Sequence, residues 1–167
     1  MKLILLMAIT ADGKIARSAD HFPDWTGSAD KRFFARRSRA AGVVIMGSKT
    51  FDSMGKPLPA RHNIVLSRNP ARTGKPPDLV FTSRPPEEIL ADLASEGYSE
   101  AILAGGSRIN TLFARRGLID EVILTVSPLI FGDGLSLFAL GLDLRLSLLD
   151  VQRLDEDLVM LHYRVQR

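Results

Sequence analysis

Short apolar runs alternate along this chain with segments of helical period. The runs Leu3–Ile9, Val43–Met46, Asn63–Leu66, Leu79–Phe81, Ala101–Leu103 and Glu121–Val126 read as strands. Val43-Val44-Ile45-Met46 has no polar position for either sheet face, which suits a strand buried on both sides. Helical spacing predicts helices at Ser28–Ala40, Ser48–Met54, Pro86–Glu96 and Ser107–Arg115. This alternation predicts an α/β domain in three layers, with helices on both faces of a mostly parallel central sheet.

The pattern changes toward the end. Ser147–Arg153 and Leu158–Val165 flank the polar turn Leu154-Asp155-Glu156-Asp157 and predict a C-terminal antiparallel hairpin. Val159, Leu161 and Tyr163 alternate with Met160, His162 and Arg164, so one hairpin face is expected to be better buried. Thr10–Gly27 and Ser127–Arg145 are too long for simple connections and read as binding loops or lids. No linker or repeat divides the chain, and residues 1–167 are expected to form a single domain.

Composition narrows the chemistry. A chain of 167 residues is long enough for one sizeable core. No cysteine is present, which excludes disulfides, thiolate metal sites and a cysteine nucleophile. His21, His62 and His162 are widely separated, so no metal is expected. The apolar start reaches only from Leu3 to Ile9 and runs straight into Ala11-Asp12-Gly13-Lys14, a first strand rather than a signal peptide. Nothing approaches the ~20 apolar residues of a membrane span. A soluble, cytoplasmic protein is expected, with no membrane partner, as monomer or homodimer. The net charge of +3 is spread among 19 acids, without the basic or aromatic stripe of a nucleic-acid binder. Arg32, Arg36, Arg37 and Arg39 read as a solvated helix face.

Two segments carry candidate chemistry. In Val43–Asn69 a buried strand runs into Gly47, and Ser48-Lys49-Thr50 opens a helix whose free N–H groups suit a phosphate. Ala104-Gly105-Gly106-Ser107-Arg108 repeats the strand–glycine–helix plan with a second basic residue. Neither matches G-x-G-x-x-G or a P-loop.

Met46-Gly47-Ser48-Lys49-Thr50-Phe51, followed by Leu58-Pro59-Ala60-Arg61-His62-Asn63-Ile64-Val65-Leu66-Ser67-Arg68, resembles the central signature of dihydrofolate reductases. Ala8, Asp12-Gly13-Lys14-Ile15, Trp25, Asp30, Gly105-Gly106 and Thr125 continue the likeness in the same order. The resemblance implies a dihydrofolate-reductase-like fold and NADPH-dependent reduction of 7,8-dihydrofolate. It places Asp30, five residues after Trp25, on the amino-pyrimidine edge of a pterin, with Trp25 and Thr125 completing the catalytic set. Leu6, Phe34, Met54 and Leu58 are implied to line the substrate site. Arg61 is implied to grip the glutamate carboxylate of folate, a task suited to a planar guanidinium. The implied NADPH site comprises Ala8, Ile15, Gly47, Ser48, Lys49, Thr50, Ser67, Arg68, Gly105, Gly106, Ser107 and Arg108, with Arg68 on the 2′-phosphate.

The chain departs from this pattern at Lys31, Ser48, Asn110 and in the polar loop Arg17–Asp24. Asp12–Ala16, Trp25-Thr26-Gly27, Gly117–Glu121 and Ser127–Gly134 also resemble riboflavin-pathway reductases, which reduce a ribosylaminopyrimidine phosphate. Reduction of that substrate or another pterin is the alternative. A non-catalytic nucleotide-binding module is the reading from another class.

Overall fold

Strand β3 (Val43–Gly47) shows why the sheet forms where the sequence predicts it: every one of its residues is buried. Its neighbours on the two sides are β4 (His62–Leu66) and β6 (Glu100–Leu103), and both pair with it in parallel. The computed structural model describes residues 1–18, 24–139 and 141–167; His21 and the centre of the Arg17–Asp24 loop lie outside the described residues. Further strands are β1 (Lys2–Thr10), β5 (Leu79–Thr82), β7 (Glu121–Ser127), β9 (Leu146–Arg153) and β10 (Val159–Val165). One eight-stranded sheet results, in the order β5-β4-β3-β6-β1-β7-β10-β9. All pairs from β5 to β7 are parallel, and the hairpin β9–β10 joins β7 antiparallel.

Helices cover both faces. α1 (Gly27–Ala41) and α2 (Ser48–Met54) lie over the core of Ile4, Leu6, Val44, Met46 and Ile102, contributing Phe33, Phe51 and Met54. α3 (Pro86–Ser95) and α4 (Ser107–Arg115) bring Ile89, Leu93 and Phe113 onto Leu3, Leu5, Val43, Ile45 and Leu103. The expected three layers and C-terminal hairpin are both present.

The structure corrects three local readings. Strand β10 does not have one plainly better-buried face: Met160 enters the core on one side, while Tyr163 and Val165 pack on the other. Arg37 is not on a solvated face. It is half-buried and its guanidinium donates to Glu100, with N···O distances of 2.9 and 3.4 Å. The two long loops are not irregular throughout, because β2 (Lys14–Ala16) from one pairs antiparallel with β8 (Leu135–Ser136) from the other. Gly134 makes this approach possible: its φ is +140°, and a Cβ there would sit 2.5 Å from the Ala16 carbonyl oxygen.

Asp12 ties the same loops together. Its carboxylate accepts the Thr10 hydroxyl at 2.5 Å and the backbone N–H groups of Phe131 and Gly132 at 3.2 and 2.8 Å. The Thr10 bond in particular holds the Asp12 carboxyl below its ordinary pKa, with the two backbone donors adding to it. Phe131 meets the Trp25 ring edge-on, centroids 5.3 Å apart, and the Arg17 guanidinium lies 3.9 Å from its centroid. Asp12 therefore sets where Trp25 rests. Trp25 is the only tryptophan, so its fluorescence reports this tie cleanly. Asp12→Ala is expected to red-shift Trp25 emission and speed limited proteolysis between residues 127 and 136. Unchanged emission and cleavage would show that the loop stands without Asp12.

Candidate active site

The carboxyl ends of parallel strands are where open α/β sheets place ligands; Asp30, Thr125 and the two glycine turns gather there, whereas Arg61 precedes β4 at its amino end. Ala8 on β1 stands beside Thr125 on β7 in the strand register. Asp30, on the first turns of α1, reaches the same point: the Thr125 hydroxyl donates to its Oδ1 at 2.6 Å. Asp30 is 7% exposed and Thr125 only 1%, and no cation among the described residues forms an ion pair with the carboxylate. Burial pushes the Asp30 pKa up; side-chain hydrogen bonds from Thr125 and Thr26 and the charge of Lys31 oppose it without cancelling it. A desolvated carboxylate without a cation is prepared to bind paired N–H donors and to hold a proton.

Around it lies an apolar wall. Phe34, one turn after Asp30, packs with Phe51, Met54 and Leu58 against the α1-side core, while Leu6 is fully buried within that core. Trp25 is half-buried, and its Nε1 is buried with no hydrogen-bond partner. Ile15 sits half-buried on β2.

Arg61 is not an exposed loop residue. It is 5% exposed, donating from Nε to the Pro59 carbonyl at 3.0 Å and from Nη1 to Ser38 Oγ at 2.6 Å. The preceding Ala60 adopts φ +57°, the one positive φ of a non-glycine among the described residues, which turns Arg61 back beneath the loop. Burial lowers the Arg61 pKa and nearby Arg39 lowers it further; no carboxylate pairs with it among the described residues. Its two bonds orient the guanidinium without neutralising it, leaving an attraction for an anion.

On the other side of the cleft, the two glycine turns meet. Gly47 N–H donates to the Gly105 carbonyl at 2.8 Å, and the Gly105–Gly106 peptide is cis. A Cβ on Gly47 would stand 2.8 Å from Ile109 Cγ1, and one on Gly105 would stand 2.9 Å from the Met7 side chain. Packing therefore favours bare backbone at Gly47, and a φ of +90° favours glycine at position 105. Helix α2 begins with Ser48, Lys49 and Thr50, and α4 with Ser107 and Arg108; neither helix has a side-chain cap on its first N–H groups. Ser67 and Arg68 follow β4 beside them, Ser67 accepting the Asn69 N–H at 3.2 Å. Lys49, Arg68 and Arg108 are exposed and form no ion pair among the described residues. Uncapped helix starts and unpaired cations around bare backbone fit a diphosphate-bearing dinucleotide.

Two features escape sequence reasoning: the burial of Asn110 and the reach of Phe131. Asn110 is fully buried, donates from Nδ2 to the Leu137 carbonyl at 2.8 Å, and leaves Oδ1 unpartnered beside Gly105. Phe131 reaches Trp25 across more than a hundred residues of sequence, a contact with no local signal.

Comparison with known proteins places this geometry. A profile of the RibD C-terminal domain matches residues 1–160. Dihydrofolate reductase type A13 of Escherichia coli is 43% identical over 68 residues, 41% of this chain and 39% of that protein. Dihydrofolate reductase type 3 of Salmonella typhimurium is 30% identical over 109 residues, 65% of this chain and 62% of that protein. The alignments thus cover less than two thirds of these relatives' own length. A putative riboflavin biosynthesis protein from Shewanella sp. PV-4 superposes with a TM-score of 0.78 at 25% identity, covering 100% of both chains. Dihydrofolate reductase from Enterococcus faecalis, complexed with NADP(H), gives a TM-score of 0.74 at 23% identity, covering 99% of this chain and 97% of that one. With its profile match spanning nearly the whole sequence on a dihydrofolate-reductase-like α/β fold, the chain belongs to the RibD C-terminal domain family, a family of reductases.

Proposed function

We propose that this chain catalyses NADPH-dependent reduction of 7,8-dihydrofolate. The observation that carries the reading is the buried Asp30–Thr125 pair at the mouth of the parallel strands. Bound NADPH supplies the hydride. The Thr125 hydroxyl holds one carboxylate oxygen of Asp30, which turns the rest of the group toward the amino-pyrimidine edge of the substrate, where two N–H donors match two acceptor oxygens. The raised pKa of Asp30 favours delivery of the proton that must accompany hydride addition across a C=N bond. Phe34, Met54 and Leu58 exclude water beside the ring, and the oriented but charge-unpaired Arg61 suits the carboxylate of a glutamate tail. Lys49, Arg68 and Arg108 suit the phosphates of NADPH, with Arg68 assigned to the 2′-phosphate.

The family profile supports a second reading, reduction of a ribosylaminopyrimidine phosphate, in which Asp30 meets a similar amino-pyrimidine edge and Arg61 meets a phosphate. NADPH consumption with each substrate in turn separates the two; no turnover with dihydrofolate overturns the first.

Asp30→Asn is expected to lower turnover by about 10²–10⁴-fold, most severely at high pH, where pre-protonated substrate is scarce. The same variant is expected to be more stable. A carboxyl whose folded pKa lies above its unfolded one costs stability as pH rises through the folded value. At pH 8 the melting temperature should rise by about 2–4 °C, ~1 kcal/mol for a chain of this size, and the gain should vanish in acid, where both states are protonated. Thr125→Val removes a donor that favours the ionised carboxylate, so the alkaline limb of the kcat/KM profile, where the protonated carboxyl is lost, should move to higher pH. An unmoved limb would assign the titration to another group.

Arg61→Lys should raise the KM for dihydrofolate while leaving a glutamate-free pterin unaffected. Arg68→Ala should weaken NADPH binding by about 1–3 kcal/mol, measured by calorimetry, and leave NADH binding unchanged; equal losses would remove Arg68 from the 2′-phosphate.

A further inference from the structure

The loop that leaves β7 is hung from two polar anchors. At its start the Asp12 carboxylate accepts the N–H groups of Phe131 and Gly132. At its end two adjacent side chains of α4 hold it. Asn110 donates from Nδ2 to the Leu137 carbonyl at 2.8 Å, and Thr111 Oγ1 accepts the Ala139 N–H at 2.8 Å. Both side chains are buried, and among the described residues no other helix side chain hydrogen-bonds to this loop. Leu137 and Phe138 also pack against the core on this side of the sheet. Between the two anchors lies β8, whose Leu135 and Ser136 pair with Ala16 and Lys14 of β2.

Thr111 reaches in a second direction. Its hydroxyl donates to the Ser107 carbonyl, one turn back, at 2.8 Å. A hydroxyl that donates is polarised into a better acceptor, so its two bonds strengthen each other. Ser107 is the first residue of α4 and follows Gly105-Gly106, at the helix start whose uncapped N–H groups suit a diphosphate. At the other end of the relay, β2 follows β1 just past the point where Ala8 stands beside Thr125. One turn of α4 thus connects the phosphate end of the cleft with the β2–β8 flap at its mouth. Asn110 is explained by the same link. Its Oδ1 is buried beside Gly105 without a partner, a cost that an apolar side chain would avoid, so what the amide contributes is its bond to Leu137. We propose, resting on the assignment of NADPH to the glycine side of the cleft, that Asn110 and Thr111 are positioning residues for the dinucleotide. They fix the β2–β8 flap in register with the start of α4 and so slow the release of bound NADPH.

Hydrogen exchange and stopped-flow release, both on the full chain, test this. Without cofactor, Thr111→Val should speed amide exchange at residues 14–16 and 135–136 at least about threefold, since local opening follows the bonds that hold a segment. With NADPH bound, the same variant should release the cofactor roughly tenfold faster, as expected for one buried hydrogen bond, with the association rate unchanged. Asn110→Leu should act in the same direction, whereas Thr111→Ser keeps the hydroxyl and should match the wild type in both readouts. Ile89→Val trims the core under α3 and controls for lost stability: its melting temperature should fall while NADPH release stays as it was. A wild type that binds no NADPH removes the cofactor assignment and this proposal with it. NADPH binding with unchanged release in T111V and N110L overturns the positioning role alone, and so does equal acceleration in I89V. Unchanged exchange at β2 and β8 in T111V shows that the flap is held elsewhere and overturns it as well.

Discussion

A carboxylate taken out of water without a cation beside it is the constraint around which this molecule is arranged. Asp30 is held by the Thr125 hydroxyl and raised in pKa by burial, and its position requires α1 to sit against the end of β7. That placement depends on β1 and β7 running in parallel, so that Ala8 and Thr125 arrive side by side. It depends equally on Ser38, four residues beyond Phe34, whose hydroxyl accepts the buried Arg61 guanidinium and joins α1 to the loop before β4. The costs of burying Asp30 and Arg61 are both met by neutral oxygen partners rather than by each other. Neither charge is neutralised by the other.

The opposite wall is governed by backbone approach. Gly47 and Gly105 touch through a backbone hydrogen bond, and this contact brings the starts of α2 and α4 to one place. Their uncapped N–H groups and the exposed Lys49, Arg68 and Arg108 then surround a surface of bare peptide. The carboxylate side is dry and specific, whereas the glycine side is open and electropositive. That division suits the substrate and dinucleotide roles proposed for the two sides.

Between the two walls, the loops after β1 and β7 close into a second small sheet fastened by Asp12. The fastening reaches Trp25 through Phe131, so the loop that carries Trp25 is supported by residues remote in sequence. The hairpin β9–β10 closes the other end of the sheet, and β10 sets Met160 opposite Thr125.

By itself the sequence determined the strands and helices almost to the residue, because doubly buried strands must be continuously apolar and their connecting helices amphipathic. The two glycine turns and the basic residues beside them left local signatures at strand ends, whereas Asp30 stood out only through the resemblance to dihydrofolate reductases. The sequence did not reveal β2 and β8, which are too short to carry a pattern and exist only through each other. Nor did it reveal that Arg61 is buried, that Arg37 pairs with Glu100, or that the better-buried face of β10 changes sides. Those were decided by tertiary structure alone. A side chain's exposure, and the partner that meets its charge, depend on which distant segment folds over it, and nothing in the neighbouring sequence encodes that.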